Sequence, residues 1–189
     1  MTVMTKPSPL VDLAHWVRGF DKTAIPPAVL RQAKLLTLDT IGCGLAGRDE
    51  EVSSAVLRSI ETSGSGPCSI IGSGLRTSAS DAVLANGVLI RVLDLNDYVI
   101  GGLSGGMQIG GHPSDNIPVA LAFGEMLNRP GRDVLSAIVI GYEVYGRVRE
   151  MMGREGCWDG VTISGLAAPA MAGFLMGLDE QRMAHAIAL

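Results

Sequence analysis

Cysteine, lysine, aromatic side chains and charge are all scarce in this sequence, and each shortage narrows what the chain can be. The three cysteines, Cys43, Cys68 and Cys157, stand far apart. Without a CxxC or similar ligand pair, a structural zinc or an iron–sulfur cluster is not expected, and the odd, scattered count fits a reducing compartment. Charged residues make up 18% and apolar ones 47%, the reverse of a disordered chain. The net charge of -4 and the lack of a basic tract argue against nucleic acid, for which clustered Lys and Arg supply most of the affinity. The opening MTVMTKPSPL holds no apolar core of signal-peptide length, so the cytoplasm is the expected compartment. The longest charge-free run, residues 160–178, includes Thr162, Ser164 and Pro169 and is rich in Ala and Gly. That composition reads as a buried helix, not a membrane span.

What is plentiful is Ala, Leu, Gly and Met, residues of closely packed helices, where sheets prefer β-branched and aromatic ones. The 189 residues suffice for one domain or a piece of a larger one. Residues 1–8 read as a flexible terminus and 9–189 as one helical unit. Leu10, Leu13, Trp16 and Val17 share one helical face. A second helix opens at Pro26-Pro27, continues through Leu30, Ala33, Leu36, Leu38, Ile41 and Leu45, and stops at Gly47. A third runs from Glu51 to Thr62. Cys68 to Gly72 is a short β-branched stretch that suits a lone strand or an extended connector. Ser78 or Ser80 caps a helix expected to reach Asp94. Ser114-Asp115 marks another start, followed by helices over 132–152, 161–176 and 179–189. The expected class is therefore all-α, with one short extended element. The last helix carries Met183, Ala184, Ile187 and Ala188 and ends at Leu189 without a polar tail. An apolar face there expects a cover from outside the chain.

Three histidines are present. His15 and His185 lie inside helical patterns and read as partly buried packing residues. His112 stands apart in Gly-Gly-His-Pro-Ser-Asp-Asn, ahead of a helix start and after a stretch, 101–116, that holds six glycines. Glycines permit close backbone approach, a helix start offers free N–H groups, and imidazole exchanges protons near neutral pH. That suits a carboxylate ligand with His112 moving a proton, or else a turn histidine in a mobile loop. Asp94 and Asp97 stand three apart in Arg91-Val92-Leu93-Asp94-Leu95-Asn96-Asp97. On one helix end the two like charges would raise one pKa and prepare an acid or base, with Arg91 as compensating charge; otherwise they are solvated loop or C-terminal turn residues. The ligand set is too thin for a metal site to be expected. No GxxxxGK[ST], GxGxxG or GxSxG motif is present.

Five phrases together resemble the N-terminal part of the MmgE/PrpD family, which includes 2-methylcitrate dehydratase, cis-aconitate decarboxylase and iminodisuccinate epimerase. They are LLTLDTIGCGLAG (35–47), ANGVLIRVLDLND (85–97), GGHPSDNIPVALAFGE (110–125), AIVIGYEVYGR (137–147) and GVTISGLAAPAMAGFLMGLDEQRMAHAIAL (160–189). The resemblance implies a large helical domain plus a separate α+β lid, a dimeric enzyme without metal or organic cofactor, and small di- and tricarboxylate substrates. It places Asp94 and His112 on catalytic positions. Arg91, Asn96, Asp97, Tyr98 and Ser114 follow as substrate-binding neighbours. The implied chemistry is β-elimination of water, the hydro-lyase reaction.

Departures from the family pattern qualify the expectation. A histidine usual just before Val161 is replaced by Gly160, and the 98–111 loop has few polar anchors. The family's active-site lysines and lid fall beyond residue 189, while the lysines here are Lys6, Lys22 and Lys34. One expectation is therefore half of a split lyase, completed by a second chain carrying lid and lysines, a homodimer, or both. The alternatives are a non-catalytic helical assembly module, or an epimerase that removes and returns a proton without a leaving group.

Overall fold

The computed structural model describes residues 8–100, 110–151 and 159–189. The described residues form eight α-helices: α1 (Pro9–Arg18), α2 (Pro27–Ala46), α3 (Glu51–Glu61), α4 (Ala79–Arg91), α5 (Ile117–Met126), α6 (Gly131–Met151), α7 (Ser164–Met176) and α8 (Glu180–Ala188). The class is all-α. Two antiparallel ladders of two residues each interrupt it, one more than expected: β1 (Cys68–Ser69) with β2 (Arg76–Thr77), and β3 (Val99–Ile100) with β4 (Gly110–Gly111).

Local chemistry explains most boundaries. The side chain of Ser78 accepts the Asp81 amide and starts α4, and Asp179 does the same for α8 through Arg182. Gly177, at φ +69, ends α7. Its amide and that of Leu178 return to the Phe174 and Gly173 carbonyls, a closure that needs a left-handed residue. Helix α4 stops at Arg91, short of the expected Asp94, because Asp94 itself adopts φ +54.

Helices α6 and α7 form the centre. Ile117, Ala120, Ile138, Met171 and Leu175 are buried between α5, α6 and α7. On the other side Ala14, Val17, Ile140, Ala170, Met183 and Ile187 join α1 and α8 to the same pair. A fully buried side chain of this size contributes about 1.5–3 kcal/mol. Met183 and Ile187 are therefore covered by α1 and α7 of the same chain, while Ala188 and Leu189 are exposed. His15 and His185 are exposed, not packed; His15 Nδ1 lies 2.8 Å from Glu180.

Helix α2 also departs from its apolar pattern. It turns Ala33, Thr40, Cys43 and Gly44 inward and leaves Leu35, Leu38 and Leu45 exposed, Leu38 by 68%. Small residues win this face because the approach is close: a Cβ on Gly44 would lie 3.2 Å from Ile71 and 3.4 Å from Ile90. The β1–β2 hairpin is tied to α4 by buried Asn86, which accepts from the Ile71 amide and donates to the Ser69 carbonyl. Among the described residues no helix is long and apolar enough to cross a membrane. The expected flexible terminus, the 101–109 part of the glycine-rich stretch and the polar break before residue 159 lie outside the described residues.

Candidate active site

Two short segments meet beside α6: residues 91–98, which leave the end of α4, and residues 110–116, which enter α5 through a 3₁₀ turn, Pro113–Asn116. They are held together by polar side chains. Asn96, buried, donates from Nδ2 to Ser114 Oγ and to Asp115 Oδ1, both at 2.9 Å. Asp97 accepts from the Ser114 amide at 3.1 Å and, through its other oxygen, from the Tyr142 hydroxyl at 2.8 Å. A buried polar group is stable only when so paired, which fixes the register between the two segments.

That brace presents Asp94 and His112 to one another, with Asp94 Oδ1 3.4 Å from His112 Nε2. The Asp94 side chain is 69% exposed and the His112 side chain 11%. Among the described residues His112 Nδ1 is buried without a hydrogen-bond partner. A buried N–H lacking an acceptor is costly, so we assign the proton of the neutral ring to Nε2, facing Asp94. The Tyr98 ring packs edge-on against His112 with centroids 5.1 Å apart.

Arg91 binds two of the three aspartates of the site. One of its terminal nitrogens donates to Asp94, and its Nε lies 3.6 Å from Asp115 Oδ2. The guanidinium holds the Asp94 carboxyl below the usual carboxylate range. Asp94 and Asp97 do not share a helix face, because α4 ends at Arg91, and where a raised carboxyl was expected Asp94 has a lowered one. Asp115 moves the other way: burial raises its carboxyl, and Asn96 and Arg91 only partly offset that. Burial and the neighbouring Asp97 also push the Tyr142 phenol up.

The glycines have a steric reason here. A Cβ on Gly110 would run into the Tyr98 ring, and one on Gly111 into the Tyr145 hydroxyl. Tyr145 donates to the Gly160 carbonyl at 3.0 Å. The hydroxyl lies 2.9 Å from where a Cβ on Gly160 would be.

All seven residues singled out from the sequence come together. Arg91, Asp94, His112 and Tyr98 form the open face. Asn96, Asp97 and Ser114 form the inner brace, with Asn96 and Ser114 buried. Asp115, Tyr142 and Tyr145 belong to the same cluster and were not singled out. Asp115 was legible as part of the same phrase as His112; the tyrosines, three apart on α6, carry no signal beyond helical spacing. Among the described residues no group of three or more His, Cys, Asp or Glu is placed to hold a metal ion.

The arrangement can accept a proton at an exposed carboxylate backed by an imidazole, next to the Arg91 guanidinium. Comparison with known proteins gives the chain its relatives. A cis-aconitate decarboxylase-like protein of Aspergillus oryzae is 29% identical over 94% of this chain and 38% of its own length. A probable 2-methylcitrate dehydratase of Saccharomyces cerevisiae is 27% identical over 96% of the chain and 37% of its own length. The 2-methylcitrate dehydratase of Escherichia coli K12 is 25% identical over 95% and 38%. The chain thus spans less than two-fifths of the length of these relatives. The profile of the MmgE/PrpD N-terminal domain matches residues 11–189, and the chain belongs to that family.

Proposed function

We propose that this chain carries the proton-abstracting part of a lyase that removes water from a small hydroxy-di- or tricarboxylate, without metal or organic cofactor. The observation that carries the reading is the Asp94–His112 contact, open on the Asp94 side and flanked by Arg91. The relatives named 2-methylcitrate dehydratase support it. A carbon-bound hydrogen next to a carboxylate passes as a proton to the Asp94–His112 pair. The electron pair left behind is held as an enolate-like charge beside Arg91. It then forms the C=C bond as the neighbouring C–O bond breaks. Hydroxide leaves, takes up a proton and becomes water, and the pair returns its own proton to solvent. Electrostatic stabilisation of such a charge is commonly the largest catalytic contribution.

One guanidinium already shared by two carboxylates is a weak cradle for a polyanion. Further cations from outside these residues complete the site in this reading, on the same polypeptide, on a second chain, or on a second copy. Lys22 is not such a cation, since it pairs with Asp133 at 2.6 Å. Two buried free thiols, Cys43 and Cys68, suit a reducing compartment such as the cytoplasm.

The test is to purify the intact protein from its native host, record a native mass spectrum, and offer it hydroxy-tricarboxylates. Growth of ultraviolet absorbance from a new C=C bond, lost in Asp94→Asn and His112→Gln, supports the reading. Release of CO₂ from an unsaturated tricarboxylate would instead favour decarboxylation, the activity named in a relative from Aspergillus terreus. Inversion without absorbance would favour an epimerase, and inactivity toward all of them a binding module. A second polypeptide in the spectrum would identify where the missing cations reside.

A further inference from the structure

We propose that Arg91 is an exchangeable counter-ion: it neutralises Asp94 and Asp115 while the site is empty, and passes to a carboxylate of an entering polycarboxylate, releasing Asp94. The inference rests on the reading of the site as a carboxylate site and adds how that site is switched on.

Three features carry it. First, Arg91 is divided between two acids of unequal setting. Asp94 is exposed and stands on an irregular turn, while Asp115 is half-buried and fixed by Asn96. The contact that can yield is the exposed one, because solvent compensates Asp94 when the guanidinium leaves. Second, the same Oδ1 of Asp94 faces both Arg91 and His112 Nε2. While Arg91 holds it, that oxygen is a poor proton acceptor; once released, it faces only the imidazole and the ligand. Third, a guanidinium offers five donors in a planar fork suited to a carboxylate. Arg91 can therefore stay near Asp115 through Nε and turn its terminal nitrogens to a new partner. The base would be restrained when no polyanion is present and unmasked by the ligand on which it acts.

The test uses tricarballylate, a tricarboxylate without a hydroxyl that cannot undergo the elimination, and calorimetric titration of the intact protein. Asp94→Asn removes the competing charge, and asparagine tolerates the left-handed backbone at this position. It is expected to bind tricarballylate about fivefold more tightly than the wild type. Arg91→Gln is expected to bind at least tenfold more weakly. The double variant should bind no more tightly than Arg91→Gln alone, because the gain from Asp94→Asn exists only when a guanidinium is there to be freed. Equal tightening in both backgrounds would show simple charge repulsion and overturn the exchange. Unchanged binding in Arg91→Gln would overturn it too, as would failure of every variant to bind. Binding with the expected pattern but no turnover of any hydroxy-tricarboxylate would leave the exchange standing and refute the dehydratase reading alone. Thermal melts of each variant confirm folding. Arg91→Lys supplies the control: it keeps the charge without the fork, so intermediate binding supports the exchange and wild-type binding overturns it.

Discussion

The α6–α7 centre and the segment pair at the site are held by opposite means. Around α6 and α7 the contacts are apolar and shaped. Gly141 sits so close to Met171 that a Cβ there would meet its sulfur at 2.3 Å, and the lining isoleucines are fully buried. At the site, residues 91–98 and 110–116 are joined chiefly by Asn96, Asp97, Ser114 and Tyr142. A packed centre loses stability in proportion to the volume removed. A hydrogen-bonded brace loses it when one member is left unpaired, and also loses the positions of the groups it carries.

The largest effect should come from the centre. Ile138→Ala is expected to cost about 2–5 kcal/mol, read from the denaturant midpoint, with turnover per folded molecule unchanged. If stability barely moves, the centre is not what holds the molecule. Asn96→Ala should cost less, about 1–3 kcal/mol, since it strips a buried hydroxyl and a carboxylate of their donor. Its activity loss should exceed its stability loss, because His112 is two residues from the freed turn. Equal losses would merge the two regions into one.

Tyr142→Phe should cost about 1 kcal/mol. The wild-type phenols give a pH test as well. Burial raises Tyr142, and raises Tyr145 to about 12. A raised phenol adds stability that is present below its ordinary pKa of about 10 and fades as pH climbs toward the folded value. Absorbance titration should therefore show these two ionising late, with alkaline unfolding. The carboxylates at the site supply a finer contrast. Asp94 should stay ionised below the ordinary range, so its pairing with Arg91 is lost only as pH falls through that lowered value. Asp115 should take up a proton first. Carboxyl NMR titration that finds the reverse order would remove Arg91 from its assigned place. The smallest effect is His15→Ala, whose exposed contact with Glu180 should be worth within about 0.5 kcal/mol in a melt.

Helix periods, the Ser78 cap, the Gly47 stop and the Pro26-Pro27 start were legible because each is written within a few residues. Which face of α2 turns inward was not. Its five leucines suggest an apolar face, yet Ala33, Cys43 and Gly44 turn inward, Gly44 against Ile90 of α4, a tertiary choice invisible along one helix. The end of α4 was missed for a local reason: Asp94 leaves the helix in a left-handed turn that composition does not require. The site phrases were legible as phrases, and Asn96, Ser114 and Asp97 were noticed as neighbours of the chemistry. That they brace it from inside, with Tyr142 from α6, depends on a meeting of segments 45 residues apart, which sequence spacing does not encode.

Gly160 and Tyr145 constrain one another sterically. The phenol oxygen lies 2.9 Å from where a side chain at 160 would have to begin, and the Gly110 carbonyl lies equally close. A single substitution that puts histidine at 160 into this background meets a wall on two sides. To admit it, the Tyr145 side chain and the Gly110–Gly111 strand would both have to give way. A second imidazole at this place therefore comes at the expense of the contacts that seat the Gly110–Gly111 strand against α6.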